Sequence, residues 1–219
     1  MSAEKVMKLY KQYSNTASTS ISIPDHAEHY LYLKRGFDLV VSIIGIIVAL
    51  PIILICSLLI MIETPGSPFY IQERVGKNGK TFKLIKLRSM RKDAEKTGAK
   101  WAEANDPRIT KVGAFIRKTR IDELPQLLSV LKGDMSIIGP RPERPMFTAQ
   151  FDREIPGFSN RILVKPGLTG LAQVNGGYDL TPKEKLQYDL EYIEHLSPRL
   201  EMKIILKTFK VLLTGEGAR

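Results

Sequence analysis

Apolar positions along this chain fall into one long uninterrupted block and several short periodic ones. Leu39 to Ile62 is a 24-residue run without a charged side chain, with Pro51 at its middle. As a helix it is about 36 Å long, enough to cross a hydrocarbon core of about 30 Å. Lys34 and Arg35 stand before it, and Arg74, Lys77, Lys80, Lys83 and Lys86 follow. The run starts too late and is too long for a cleaved signal peptide, so it reads as a membrane anchor. Two topologies fit. A straight helix would cross, placing Lys34 and Arg35 opposite the strongly basic downstream flank, against the positive-inside bias. A re-entrant helix, broken near Pro51 where a backbone hydrogen bond is lost, keeps both flanks in the cytoplasm. The freed backbone groups then need partners; Ser42 is too distant and Leu50 has no polar atom to offer. Asp38, four after Lys34 and three after Arg35, is placed to pair with them on one helix face.

The remaining patterns are shorter. Residues 1–29 are weakly patterned, with a Ser/Thr-rich linker over 14–22. Pro65-Gly66-Ser67-Pro68 is a turn, Phe69–Gln72 and Thr81–Leu87 are short strands, and Gly76–Lys80 is their hairpin loop. Arg91–Ala104 reads as a polar helix ending at Asn105-Asp106-Pro107. Leu124, Leu127, Leu128 and Leu131 predict an amphipathic helix over 122–132, stopped by Gly133. Lys183–Leu196 carries a stripe of Leu186, Leu190, Ile193 and Leu196, ended by Pro198. Leu200–Leu213 mixes apolar residues with Lys203, Lys207 and Lys210, and reads either as a core helix or as one lying in the membrane interface. The expected architecture is α+β: a flexible extension over 1–29, a re-entrant anchor over 30–62 and a compact cytoplasmic domain over 63–219.

Composition narrows the function. The net charge of +10 and pI near 9.6 point to anionic partners, and beside a membrane segment these are lipid headgroups and phosphorylated substrates before nucleic acid. Cys56 is the single cysteine, which excludes a disulfide framework and a thiolate metal site. His26 and His29 have no carboxylate or cysteine cluster beside them. There is no GxxxxGK[ST], no GxGxxG, and no helix-turn-helix or aromatic RNA-binding pattern.

The candidate chemistry lies in 117–144. Asp122 and Glu123 are flanked by Arg117, Lys118 and Arg120. Adjacent helical residues point about 100° apart, so one carboxylate can face a substrate while the other holds a hard cation. The plain alternative is that Asp122 caps a helix and Glu123 favours its positive end. In Gly139-Pro140-Arg141-Pro142 two prolines fix the backbone around an arginine, a side chain suited to bidentate phosphate contact; a rigid turn with a solvated arginine is the alternative.

Taken in order, Lys-Arg-Gly-Phe-Asp (34–38), Ser-Pro-Phe-Tyr-Ile-Gln-Glu-Arg-Val-Gly (67–76), Lys-Leu-Arg-Ser-Met (86–90), Asp-Glu-Leu-Pro-Gln (122–126), Lys-Gly-Asp-Met-Ser (132–136), Gly-Pro-Arg-Pro (139–142) and Lys-Pro-Gly-Leu-Thr-Gly-Leu-Ala-Gln-Val-Asn-Gly (165–176) resemble the bacterial sugar transferase family of monotopic phosphoglycosyl transferases. The likeness covers roughly 33–217. It implies transfer of a sugar-1-phosphate from a UDP-sugar to a polyprenyl phosphate, usually undecaprenyl phosphate, on the cytoplasmic face of the bacterial inner membrane. This is the first membrane step of an exopolysaccharide, capsule or lipopolysaccharide pathway. It implies Mg²⁺, Asp122 as nucleophile, UMP as leaving group and Glu123 as metal ligand. It implies phosphate contacts from Arg88, Arg120, Arg141 and Gln173, and a re-entrant break at Pro51. Anionic membrane lipid is an expected partner, nucleic acid is not, and the protein partners would be a second copy or downstream glycosyltransferases.

Three departures stand out. Leu50-Pro51 replaces the family's Ser-Pro, Asn175-Gly176-Gly177 replaces Asn-Gly-Arg, and Trp101 is the single tryptophan. The sugar is therefore left open. Two rival functions are a metal-dependent phosphodiesterase acting on lipid-linked diphosphates and a membrane-tethered adaptor that binds anions through its lysines.

Overall fold

In the computed structural model, residues 21–24, 27–96 and 106–214 are described. Most of the N-terminal lead, His26, Trp101, Asn105 and residues 97–104 of the expected polar helix lie outside them. The apolar run lies within one helix, α1 (Ala27–Glu63), which continues through Pro51 without separating into two. One lost backbone bond is tolerated where the flanking turns are well formed.

One face of α1 packs against the rest of the protein along most of its length. Lys34, Asp38, Ser42, Ala49, Cys56 and Ile60 are buried, while Val40, Ile47, Leu54, Leu58 and Ile62 stand outward and exposed. Arg35 donates to the carbonyls of Val130 and Leu131 at 2.7 and 2.9 Å. Asp38 accepts from Ser136 Oγ at 3.0 Å and from the Ile137 N–H at 2.9 Å. Lys34 pairs with Glu201 at 2.7 Å. The expected local pairing of Asp38 with Lys34 and Arg35 is thus replaced, because each of the three finds a buried partner on another element. At the far end Glu63 accepts from the N–H groups of Lys111 and Val112 at 2.7 and 3.0 Å. Both flanks of the apolar run therefore touch the same polar domain.

After α1 the predicted hairpin forms as β1 (Phe69–Val75) and β2 (Thr81–Leu87), antiparallel with Phe69 opposite Leu87 and Val75 opposite Thr81. Residues 92–96 form turns where a helix was expected, drawn back by Arg108, which donates to the Ala94 carbonyl. The basic stretch before the acidic pair is helical, α2 (Lys111–Lys118), N-capped by Thr110. The helix predicted over 122–132 divides into a 3₁₀ segment, Ile121–Gln126, and α3 (Leu127–Lys132). Gly133 ends α3 in the left-handed conformation (φ 92°), as its position in the sequence implies.

The strands β3 (Ser136–Ile138) and β4 (Gly167–Thr169) pair in parallel. Between them lie α4 (Pro145–Glu154) and a 3₁₀ segment, Phe158–Leu163. A Cβ on Gly167 would lie 2.1 Å from the Gly139 nitrogen, so the two backbones approach where only glycine fits. The short α5 (Leu171–Val174) leads to α6 (Pro182–Glu194), which opens with a Thr181/Glu184 capping box, and α7 (Pro198–Thr214). Ile138, Tyr192, Ile193, Leu196 and Ile204 belong to the largest core cluster among the described residues, where α6 and α7 close against β3. α7 packs on the core through Glu201 and Ile204, which are buried, while Leu206, Phe209 and Leu213 are exposed.

Candidate active site

The 3₁₀ segment Ile121–Gln126 presents the acidic pair. Its entry residue, Arg120, is left-handed (φ 59°, ψ 13°), an uncommon state for a residue with a Cβ. The Glu123 N–H then donates to the Arg120 carbonyl at 3.1 Å. This turn puts Asp122 and Glu123, both buried, at one wall of a cavity of about 440 Å³. Arg120 is the N-cap, not Asp122, so the plain capping role is not the one Asp122 plays.

The two carboxylates differ in environment. Glu123 is held from two sides: Lys86 Nζ lies 3.0 Å from its Oε1, and Arg141 forks onto it, with NH1 3.3 Å from Oε2 and NH2 on Oε1. Asp122 has its nearest cation, Lys86 Nζ, at 3.9 Å. Burial raises the Asp122 pKa, Lys86 opposes that, and the neighbouring Glu123 charge adds to the rise. Burial acts in the same direction on Glu123, but Arg141 and Lys86 outweigh it and hold that carboxyl well below its usual value. Environments that separate two acids in this way assign them different tasks.

Arg141 is aimed by its backbone. Arg161 NH2 donates to the Arg141 carbonyl at 3.0 Å, Arg74 NH1 donates to the Pro142 carbonyl at 2.9 Å, and the Val75 N–H donates to the Glu143 carbonyl at 3.0 Å. The Gly-Pro-Arg-Pro stretch is thus pinned on both sides by β1 and by the 158–163 segment.

Every residue expected in the site lines this one cavity: Asp122, Glu123, Arg88, Arg120, Arg141 and Gln173. Pro51 belongs to α1, away from it. Two of these lining side chains also hold backbone groups. The Arg88 guanidinium donates to the carbonyls of Thr64 and Pro65, at 2.7 and 3.1 Å, tying the cavity to the end of α1. Gln173 donates through Nε2 to the Leu168 carbonyl, which leaves its buried oxygen, an acceptor, unpartnered.

Lys86 was not singled out from the sequence as a site residue. On β2, Phe82 and Leu84 are buried on one face, and Lys86 continues that face at the same period of two. A lysine where the pattern calls for an inward apolar residue was the available signal. Among the described residues the cavity wall carries eleven Lys or Arg side chains against four Asp or Glu, so it suits a polyanion.

Among the described residues no group of three or more His, Cys, Asp or Glu converges as a metal cage. Asp122 and Glu123 fit a different arrangement, in which a hard cation takes one or two carboxylates and completes its shell with substrate phosphates and water. Glu123 Oε2 has one of its two lone-pair directions taken, by Arg141, and the other is open to such an ion.

Several known proteins resemble this chain. Residues 29–215 match the family model described as bacterial sugar transferase. The chain is 57% identical over 162 residues to a Bacillus subtilis protein named "Putative undecaprenyl-phosphate N-acetylgalactosaminyl 1-phosphate transferase", covering 74% of this chain and 90% of that one. It is 43% identical over 223 residues to the UDP-N-acetylgalactosamine-undecaprenyl-phosphate N-acetylgalactosaminephosphotransferase of Aeromonas hydrophila, covering 95% of this chain and 52% of that longer protein. It is 39% identical over 181 residues to the UDP-glucose:undecaprenyl-phosphate glucose-1-phosphate transferase of Escherichia coli, covering 80% of this chain and 39% of that one.

Proposed function

Since the chain belongs to the bacterial sugar transferase family, we propose that it moves a sugar-1-phosphate from a UDP-sugar to undecaprenyl phosphate in two displacements at Asp122. In the first, an Asp122 carboxylate oxygen attacks the β-phosphorus. The bond from that phosphorus to the bridging oxygen breaks, and UMP leaves with the electron pair. In the second, a phosphate oxygen of the lipid attacks the same phosphorus and returns Asp122 as a carboxylate. The product is undecaprenyl-diphosphate-sugar. Splitting the transfer lets one site serve donor and acceptor in turn.

The observation that carries this reading is the asymmetry of the acidic pair. Asp122 has an unencumbered carboxylate at the wall of a cationic cavity, while Glu123 is fixed by Lys86 and Arg141. Arg120 and Arg141 place positive charge beside the phosphate oxygens on which negative charge builds, while Lys86 stands behind the two carboxylates. Mg²⁺, held by Glu123 and by substrate phosphate, would neutralise the diphosphate. The two relatives named for N-acetylgalactosamine make UDP-N-acetylgalactosamine the first donor to try.

The membrane arrangement follows the same reading. Lys34, Arg35 and Asp38 at one end of the apolar run and Glu63 at the other all bind the catalytic domain. A helix crossing straight through would carry one of these ends across the bilayer. The proposed anchor therefore enters and returns, which requires α1, unbroken here, to bend at Pro51 on insertion, and it leaves the active site on the cytoplasmic face of the inner membrane. The exposed apolar side chains of α7 add contact with lipid.

The test is transfer of radiolabel from UDP-N-acetylgalactosamine, UDP-glucose and UDP-galactose to undecaprenyl phosphate by the purified full-length protein, with and without Mg²⁺. Lipid-linked label with equimolar UMP supports the reading. Release of free sugar phosphate without a lipid product would point instead to the hydrolase.

A further inference from the structure

A carboxylate that none of the chemistry above uses sits in the middle of a core helix. Asp189 lies on the inward face of α6, three residues after Leu186 and four before Ile193, both buried. It is 1% exposed, as deeply placed as the apolar residues around it. Its Oδ2 lies 2.6 Å from Arg161 NH2 in a close ion pair. Arg161, also buried, packs over the Phe158 ring with its guanidinium carbon 4.9 Å from the centroid, and lines the catalytic cavity. The same NH2 donates to the Arg141 carbonyl at 3.0 Å, and the Arg141 guanidinium forks onto Glu123.

A buried ion pair of this kind is a poor source of net stability. Taking two charges out of water costs several kcal/mol per ion, and apolar replacements of similar size commonly hold such positions as well or better. What an apolar residue cannot do is fix the direction of a guanidinium. Arg161 is held here by an anion behind it and a ring beside it, so its donor points at one carbonyl. That carbonyl belongs to the residue flanked by two prolines, and the chain there has little freedom to adjust in another way.

We propose that Asp189 is a positioning residue for the transfer reaction: through Arg161 it sets the Arg141 backbone, and with it the guanidinium that holds Glu123. The role rests on the phosphoglycosyl transfer proposed above and touches neither donor nor lipid. Its consequence is a reaction-rate effect with little effect on donor affinity, because displacing a catalytic group by about 1 Å costs on the order of 100-fold.

The experiment uses the full-length protein in detergent with UDP-N-acetylgalactosamine and undecaprenyl phosphate. Asp189→Asn and Arg161→Lys are made singly and together, and kcat, donor KM, UMP affinity and thermal melting are measured for each. Arg161→Lys keeps the charge opposite Asp189 and removes the planar fork. The expected result is a kcat loss of roughly 10- to 100-fold in each single variant, with KM and UMP affinity within about threefold and the protein folded. The double variant falls no further than the worse single one, and Asp189→Glu recovers part of the rate. A folded single variant with wild-type kcat would overturn the proposal. So would a rate loss that only tracks the loss of folded protein, or a double variant whose losses multiply. If Asp189→Asn does not fold, Arg161→Lys decides alone. Wild-type turnover separates the two levels: without it the transferase reading fails, and with it only the role of Asp189 is at stake.

Discussion

Replacing Lys86 by Met removes one positive charge and keeps a side chain of similar length and width. In the native site that charge is the principal influence holding the Asp122 pKa down, at 3.9 Å from Oδ2. At this separation a unit pair interacts by about 1 kcal/mol in a water-like medium and by about 4 kcal/mol at an effective dielectric near 20. Both side chains are largely buried, at 17% and 10% exposed, so the larger part of that range applies. Removing the cation raises the Asp122 pKa, and a larger fraction of the nucleophile is protonated at any given pH. The acidic limb of kcat must therefore move to higher pH. On the acidic limb the rate at a given pH should fall by about fivefold to several-hundredfold for about 1 to 4 kcal/mol, and that loss should shrink as the pH is raised toward 9. Glu123 keeps Arg141, so its own position is retained. The assay is UMP release at saturating donor and acceptor between pH 5.5 and 9. An unmoved pH profile would refute the reasoning, and so would a uniform loss at every pH, which would place Lys86 on the substrate phosphates instead of behind Asp122.

Three further outcomes follow from other parts of the structure. Gly167→Ala places a methyl 2.1 Å from the Gly139 nitrogen and should destabilise the protein by about 1–3 kcal/mol, read as a lower melting temperature. Asp189 is pushed up by burial to about 6, against the opposing pull of Arg161, so its folded pKa exceeds the unfolded one. It therefore contributes stability at low pH that is lost as pH rises through 6, and the melting temperature of wild type relative to Asp189→Asn should increase between pH 7 and pH 5. In a Cys56→Ser background, Tyr32→Cys and Ser67→Cys, one at each end of the apolar run, should both react with an impermeant maleimide in inside-out vesicles and neither in right-side-out ones; labelling on opposite sides would establish a crossing helix.

Much of this organisation was legible in the sequence where the signal is local. The apolar run, the β1–β2 hairpin, the stripe of α6 and the stop at Gly133 each rest on periodicity or on a turn residue, and each is found. The β3–β4 pairing was not legible, because strands of three residues carry no usable period and their registry depends on the contact of Gly139 with Gly167. The division of 122–132 reflects Pro125, which lacks an N–H and sits in the opening 3₁₀ turn, so the leucine spacing alone could not place the α-helical start. The acidic pair and Arg141 were legible as residue types, and their meeting through Arg141 and Glu123 was not. Asp38 and Arg88 show the limit most clearly. Asp38 accepts from Ser136 Oγ and the Ile137 N–H, and Arg88 donates to the Thr64 and Pro65 carbonyls, long-range bonds that no local spacing announces.

The measurement closest to the central claim is the intact mass of the purified protein after mixing with Mg²⁺ and UDP-N-acetylgalactosamine in the absence of lipid acceptor, beside Asp122→Asn. The wild type should gain one phosphosugar, the variant none, with UMP released in equal amount; addition of undecaprenyl phosphate then returns the mass to that of the free protein. A wild type that transfers sugar phosphate to lipid while never carrying the adduct, or an Asp122→Asn protein that turns over normally, would contradict that claim.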